Sequence, residues 1–98
     1  MKTTVIIGSG FSSLASACYM AKAGYKVTVL EKNEQLGGRA SMIEIDGYKF
    51  DMGPSWYWMP DIFERFFADF GKKVSDYYEL EKLSPAYRVV FGENDYID

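Results

Sequence analysis

The chain of 98 residues contains no histidine, one cysteine and three prolines. Without histidine it lacks the commonest metal ligand and the usual proton shuttle near neutral pH, and no Ser-His triad can form within it. Cys18 has no partner for an internal disulfide, and such cysteine usage fits a reducing compartment. Demanding chemistry therefore needs a cofactor or residues outside these positions. Positive charge is not in excess either. Eleven basic residues are scattered among fourteen acidic ones for a net charge of −3, which excludes nucleic acid as a partner. Long apolar runs are also missing. Thr3 to Ala21 is uncharged and ends in a cleavage-like Ala15-Ser16-Ala17-Cys18, but Gly8-Ser9-Gly10 and Ser12-Ser13 interrupt it. A secretory signal or a membrane-spanning helix needs a continuous apolar core, so neither reading holds.

What is present is ordinary globular composition, 48% hydrophobic and 26% charged, for which surface scaling expects roughly 65% of the unfolded chain's surface to be buried. Thr3 to Ile7 is β-branched and apolar, as expected of a parallel strand covered on both faces. From Phe11 to Ala23, Leu14, Ala17, Cys18 and Ala21 fall at helical spacing, a small-residue stripe in which Cys18 reads as core, and Gly24 marks the stop. Lys26 to Leu30 predicts a second strand, ending in the acid Glu31. The first 31 residues thus read as a βαβ unit. Asp46-Gly47 predicts a hairpin within Ser41 to Phe50. Pro60 and Asp61 open a helix with Ile62, Phe63, Phe66, Phe67 and Phe70 on one face, closed by Gly71. Tyr77 to Leu80 and Tyr87 to Phe91 read as strands, the latter turning through Gly92 to Asp95 toward Tyr96. The run stops as this last hairpin returns, which predicts one truncated domain over residues 1–98, divided into the βαβ unit (1–31) and the loop, hairpins and helix that follow (32–98).

The strongest local signal is Gly8-Ser9-Gly10-Phe11-Ser12-Ser13, placed after a strand and opening a helix, the context that a dinucleotide fingerprint requires. Gly8 permits the tight turn, and Gly10 lets backbone approach a pyrophosphate with no Cβ in the way. The N–H groups at the helix start and the positive end of its dipole then face phosphate oxygens. Ser13 stands where a third glycine or alanine is expected for close helix–strand packing. Glu31, 23 residues after Gly8, matches the acid that accepts bonds from ribose hydroxyls and repels a 2′-phosphate, which disfavours NADP. These features alone leave FAD and NAD open. A bland alternative also stays open, in which the glycines simply make a turn and Glu31 is a solvated strand end.

Leu36-Gly37-Gly38-Arg39 follows the acid, then Phe50-Asp51-Met52-Gly53-Pro54-Ser55 and Met59-Pro60-Asp61. This ordered set resembles the flavoprotein amine oxidase and phytoene desaturase superfamily, and within it the bacterial-type phytoene desaturases, over the N-terminal part of their fold. The resemblance implies a Rossmann-type α/β FAD-binding segment. Gly8, Gly10, Phe11, Ser12 and Ser13 would wrap the pyrophosphate. Glu31 would bind the adenosine ribose with Lys32 beside it, and Gly38 and Arg39 would stand near the phosphates. The backbone of Gly53, Pro54 and Ser55 would pass near the flavin. The implied enzyme is an oxidoreductase that desaturates an acyclic C40 polyene such as phytoene and passes a hydride to FAD. Its implied setting is the cytoplasm, in peripheral contact with the membrane that dissolves its substrate.

No residue here presents itself as acid or base for that step, and the chain alone is expected to be inactive without the rest of the enzyme. Arg39 also reads as an exposed loop arginine, and Asp51 as ordinary turn chemistry. Trp56, Tyr57, Trp58 and Met59 suit a polyene tunnel, a membrane face or simple core. Three alternatives stay open: another flavin amine oxidase or retinol saturase-like enzyme, an inactive partial nucleotide-binding module, and an NAD dehydrogenase. The last would need further βαβ units where the Gly-Gly-Arg loop and hairpins stand.

Overall fold

The computed structural model describes residues 1–53 and 56–98. Its elements are β1 (Thr3–Ile7), α1 (Phe11–Lys22), β2 (Lys26–Leu30), β3 (Ser41–Ile45), β4 (Tyr48–Met52), α2 (Pro60–Ala68), a 3-10 turn (Val74–Asp76), β5 (Val89–Gly92) and β6 (Asp95–Ile97). Contacts divide the chain into two compact units, Met1–Met59 and Pro60–Asp98.

In the first unit β1 and β2 run parallel, with Thr3 opposite Lys26 and Ile7 opposite Leu30. A parallel pair needs a crossover, and α1 supplies it. Thr4, Ile6, Val27 and Val29 form a half-buried face, to which α1 contributes Ser13, Leu14, Ala17 and Met20 as partly covered positions. The helix ends where glycine was expected to stop it. Gly24 takes φ 95, its N–H donates to Ala21 O at 3.0 Å, and Tyr25 N–H donates to Met20 O at 3.1 Å. That pair of bonds is the Schellman closure, which needs a left-handed residue after the C-cap.

β3 and β4 form the expected hairpin, with Ile45 opposite Tyr48. Asp46 and Gly47 take φ 52 and 84, both positive as a type I′ turn demands.

In the second unit α2 closes as α1 does, with Gly71 at φ 70 and bonds from Gly71 N–H to Ala68 O and Lys72 N–H to Phe67 O, both 2.9 Å. The phenylalanines gather locally. Phe66 lies 5.1 Å from Phe70 between ring centroids, and Phe67 lies 5.1 Å from Tyr77. β5 and β6 pair antiparallel. Arg88 bonds Asp98 and covers the Tyr96 ring at 3.8 Å.

Four expectations are corrected. Tyr77 to Leu80 is not a strand: the chain makes a 3-10 turn at Val74–Asp76, and Tyr77 and Tyr78 turn their rings to Phe67. A four-residue apolar run carries no period that separates strand from turn. Cys18 is exposed, because a two-stranded sheet is too narrow to cover the flank of α1 on which it lies. The outer face of β1 and β2 is open rather than covered, with Ile7 86% exposed. Burial falls short of expectation too. The accessible area is 8677 Å², against about 5700 Å² for a folded chain of this mass, so about 47% rather than 65% of the extended-chain surface is removed from water. Val74 is the buried apolar residue among those described.

Gly47→Ala places a Cβ at positive φ and is expected to destabilise the β3–β4 hairpin by about 1 kcal/mol. Faster amide exchange at Ile43 and Phe50, with α1 unaffected, is the measurement that checks it.

Candidate functional site

Three segments meet where β1 ends. The ladder extends one residue further, with Gly8 N–H donating to Leu30 O at 2.7 Å and Gly8 at φ 102 turning the chain away. Ser9 is then held on all sides. Its N–H and Oγ–H both donate to Glu31 Oε1, at 3.1 and 2.5 Å, and its carbonyl accepts from Gly37 N–H at 2.8 Å. It is 1% exposed, the one buried polar residue among those described.

Gly10 is the N-cap of α1 and starts the helical ladder through Leu14 N–H to Gly10 O at 2.9 Å. No side chain caps this helix, and its first turn holds no acid.

The Gly37-Gly38 loop closes on this turn. Gly37 bridges to Gly10, and a Cβ on Gly38 would stand 3.1 Å from Gly10 Cα, tighter than ordinary van der Waals contact. Gly38 also has φ 64, so both space and conformation call for glycine. Gln35 secures the far side of the loop: its side chain donates to Met42 O and accepts from Met42 N–H, both at 2.8 Å. A Cβ on Gly53, at φ 139, would stand 2.5 Å from Arg39 O, so the two later motifs also meet by backbone approach.

Glu31 sits at the end of β2. Besides Ser9 it accepts from Asn33 N–H at 3.0 Å through Oε2. The Ser9 hydroxyl first, and the Asn33 N–H next, hold its carboxyl below the usual carboxylate range against the opposing effect of partial burial. A cleft of about 430 Å³ opens here, within the range of small-ligand sites. Of the expected site residues it gathers Gly8, Gly10, Glu31, Lys32 and Gly38, together with Ser9 and Asn33. A larger cavity of about 610 Å³ beside α2 is lined by Glu64, Lys72, Lys73 and Glu79 among others. It holds none of the expected residues, and its opposed charges favour no particular ligand.

The remaining expected residues lie outside the cleft lining. Phe11 and Ser12 are exposed at the start of α1. Ser13 is half-buried, its Oγ 3.8 Å from where a Gly8 Cβ would stand. Arg39 is exposed, and Gly53 adjoins it as described. Pro54 and Ser55 lie outside the described residues. Sequence reasoning missed Ser9, Asn33 and Gln35. Ser9 had a signal, a small hydroxyl between the two glycines and opposite an acid, whereas Gln35 had none.

No helix among the described residues is long and apolar enough to cross a membrane.

Residues 6–72 match the family of NAD(P)-binding Rossmann-like domains. The chain is 61% identical over 93 residues to a carotenoid 3,4-desaturase of Haloarcula japonica, a match that covers 95% of this chain and 19% of that protein. It is 43% identical over 93 residues to a phytoene desaturase of Fusarium fujikuroi, covering 94% of this chain and 16% of the relative. Wild-type putrescine oxidase, solved with putrescine bound, is similar in structure with a TM-score of 0.55 and 33% identity, over 71% of this chain and 16% of that one. The chain therefore spans less than a fifth of the length of these relatives. It is similar along nearly all of its own length to carotenoid and phytoene desaturases.

Because the folded Glu31 carboxyl is more acidic than an unfolded one, its bonds stabilise the fold in full above about pH 4.3, the ordinary glutamate value. That contribution is lost as pH falls through the lower folded value. Denaturant unfolding from pH 7 to pH 3 is expected to show this acid-side loss in the native chain and to lack that component in Glu31→Gln.

Proposed function

Since the chain belongs to the NAD(P)-binding Rossmann-like domain family, we propose that it anchors FAD in an oxidoreductase of the carotenoid desaturase type. The observation that carries this reading is the packing of the second glycine pair onto the first, Gly38 against Gly10. It supports a second loop at the dinucleotide turn in place of a further βαβ unit, and so favours FAD over NAD.

The residues present fit such a group. The turn offers backbone at Gly8 and Gly10 where a side chain would obstruct, and α1 begins with no side-chain cap. In this reading Gly8, Gly10, Phe11, Ser12 and Ser13 surround the diphosphate, largely through backbone N–H groups. Glu31 accepts the adenosine ribose hydroxyls and Lys32 flanks the cleft as a cation. Gly38 keeps the second loop close, and Arg39 approaches the phosphates as a charge-assisted donor. The family resemblance assigns Gly53, Pro54 and Ser55 to the flavin end.

The bound flavin would supply hydride acceptance, and the residues of this chain would bind and orient it. The proposed substrate of the whole enzyme is a long acyclic polyene, in keeping with the desaturases to which the chain is similar. Residues 1–98 then form one segment of a larger FAD-binding domain, inactive alone. Trp56 and Trp58, tilted at 6.3 Å between centroids and both exposed, suit a polyene path or a membrane-facing edge, and so a cytoplasmic enzyme peripheral to the membrane. The likeness to putrescine oxidase favours a second reading, an amine oxidase of the same flavin class. Desaturation of phytoene against oxidation of putrescine by the full-length enzyme separates the two.

Titration of the chain with FAD, followed by flavin fluorescence, is expected to show weak but saturable binding, with calorimetry detecting none for NAD⁺. Arg39→Ala is expected to weaken FAD binding about tenfold, the magnitude of one charge-assisted bond. Binding of NAD⁺ at equal or higher affinity would overturn the FAD assignment.

A further inference from the structure

The Glu31 carboxylate meets the cleft only after Ser9 has taken hold of it. A carboxylate offers about four acceptor positions, and Oε1 uses two of them on the N–H and hydroxyl of a single residue. The hydroxyl bond is the shorter, at 2.5 Å against 3.1 Å. Asn33 N–H takes a third position on Oε2, and the Lys32 backbone N–H also acts on the carboxyl. Ser9 is itself immobilised, 1% exposed and tied through its carbonyl to Gly37. Its hydroxyl therefore acts from a fixed point, joining the acid to both glycine loops. The other groups around the carboxyl are the Asn33 amide and Lys32, the one charged neighbour among the residues that line the cleft.

We propose that Ser9 is the positioning residue for ribose recognition, its hydroxyl orienting the Glu31 carboxylate toward a ribose diol. This rests on the dinucleotide reading of the cleft and deepens it: the Gly-x-Gly turn handles phosphate by its glycines and ribose by its central residue. The effect of Ser9 on a ligand then passes through Glu31 and depends on the hydroxyls of that ligand.

The test uses the full chain and Ser9→Ala, titrated with ADP and with 2′,3′-dideoxy-ADP, which keeps the diphosphate and the base. Ser9→Ala is expected to weaken ADP about tenfold, as loss of one bond to a charged group does, and to leave dideoxy-ADP within about twofold. Equal losses for both ligands would overturn the proposal, since a merely structural role disturbs the turn for either. A second readout needs no ligand: the Glu31 side-chain carboxyl, followed by carbon NMR from pH 7 to pH 2, is expected to titrate at higher pH in Ser9→Ala. An unchanged midpoint would overturn the proposal as well. If neither nucleotide binds the native chain, the dinucleotide reading fails, and the proposal fails with it whatever the NMR midpoint; a moved midpoint would then show only that Ser9 holds Glu31.

Discussion

The close approach of two backbones, at Gly10 and Gly38, is the constraint from which the rest of the site follows. With 3.1 Å between Gly10 Cα and the place of a Gly38 Cβ, the second loop has no room for a side chain at Gly38. The peptides meet directly, and Gly37 N–H reaches Ser9 O at 2.8 Å. That bond fixes the Ser9 carbonyl, and the same residue's N–H and hydroxyl fix Glu31. One peptide thus couples the end of β1, the end of β2 and the following loop. Backbone bonds of this kind hold a site more firmly than long side chains would, because few rotamers have to be frozen.

The site is organised by hydrogen bonds and glycine geometry, and scarcely by apolar burial. The outer face of β1 and β2 is open at Val5, Ile7 and Leu30, and the hairpin leaves Ile45, Tyr48 and Phe50 exposed. Parallel strands are normally covered on both faces, and a sheet of two strands with one helix supplies a single cover. The preorganisation of the glycine turn is therefore local, carried by residues 8–10, 31–33 and 35–42, while the stability of the layers behind it draws on little buried area.

This division explains what was legible in the sequence. Turn and helix boundaries rest on local chemistry, so β1, β2, the Asp46-Gly47 hairpin and both glycine-stopped helices lie where residue type placed them, within a residue or two. Covering is not local: the half-buried side of α1 depends on how wide the sheet beneath it is, and Cys18 lies on the uncovered flank for that reason. Tyr77 and Tyr78 were misread in the same way. Their apolar run suits a strand, but Phe67 offers aromatic faces within 5.1 and 6.3 Å while no neighbouring strand among the described residues pairs with them. Gln35 was invisible because a side chain that imitates a strand partner leaves no periodic trace.

The electrostatics of the cleft pose a further problem, which the same geometry resolves. A dinucleotide brings a negative diphosphate to a cleft that already holds the Glu31 carboxylate. The two like charges repel. The chain offsets this at each charge separately. Glu31 has two donors from Ser9, one from Asn33 and one from the Lys32 backbone, so its charge is spread into the glycine turn after β1 as well as into the residues that follow β2. Lys32 adds a cation at the rim of the cleft. The diphosphate would lie instead at the uncapped start of α1, whose dipole contributes roughly half a positive charge. In the proposed reading both charges draw on one turn, in which Ser9 donates to Glu31 and Gly10 beside it opens α1.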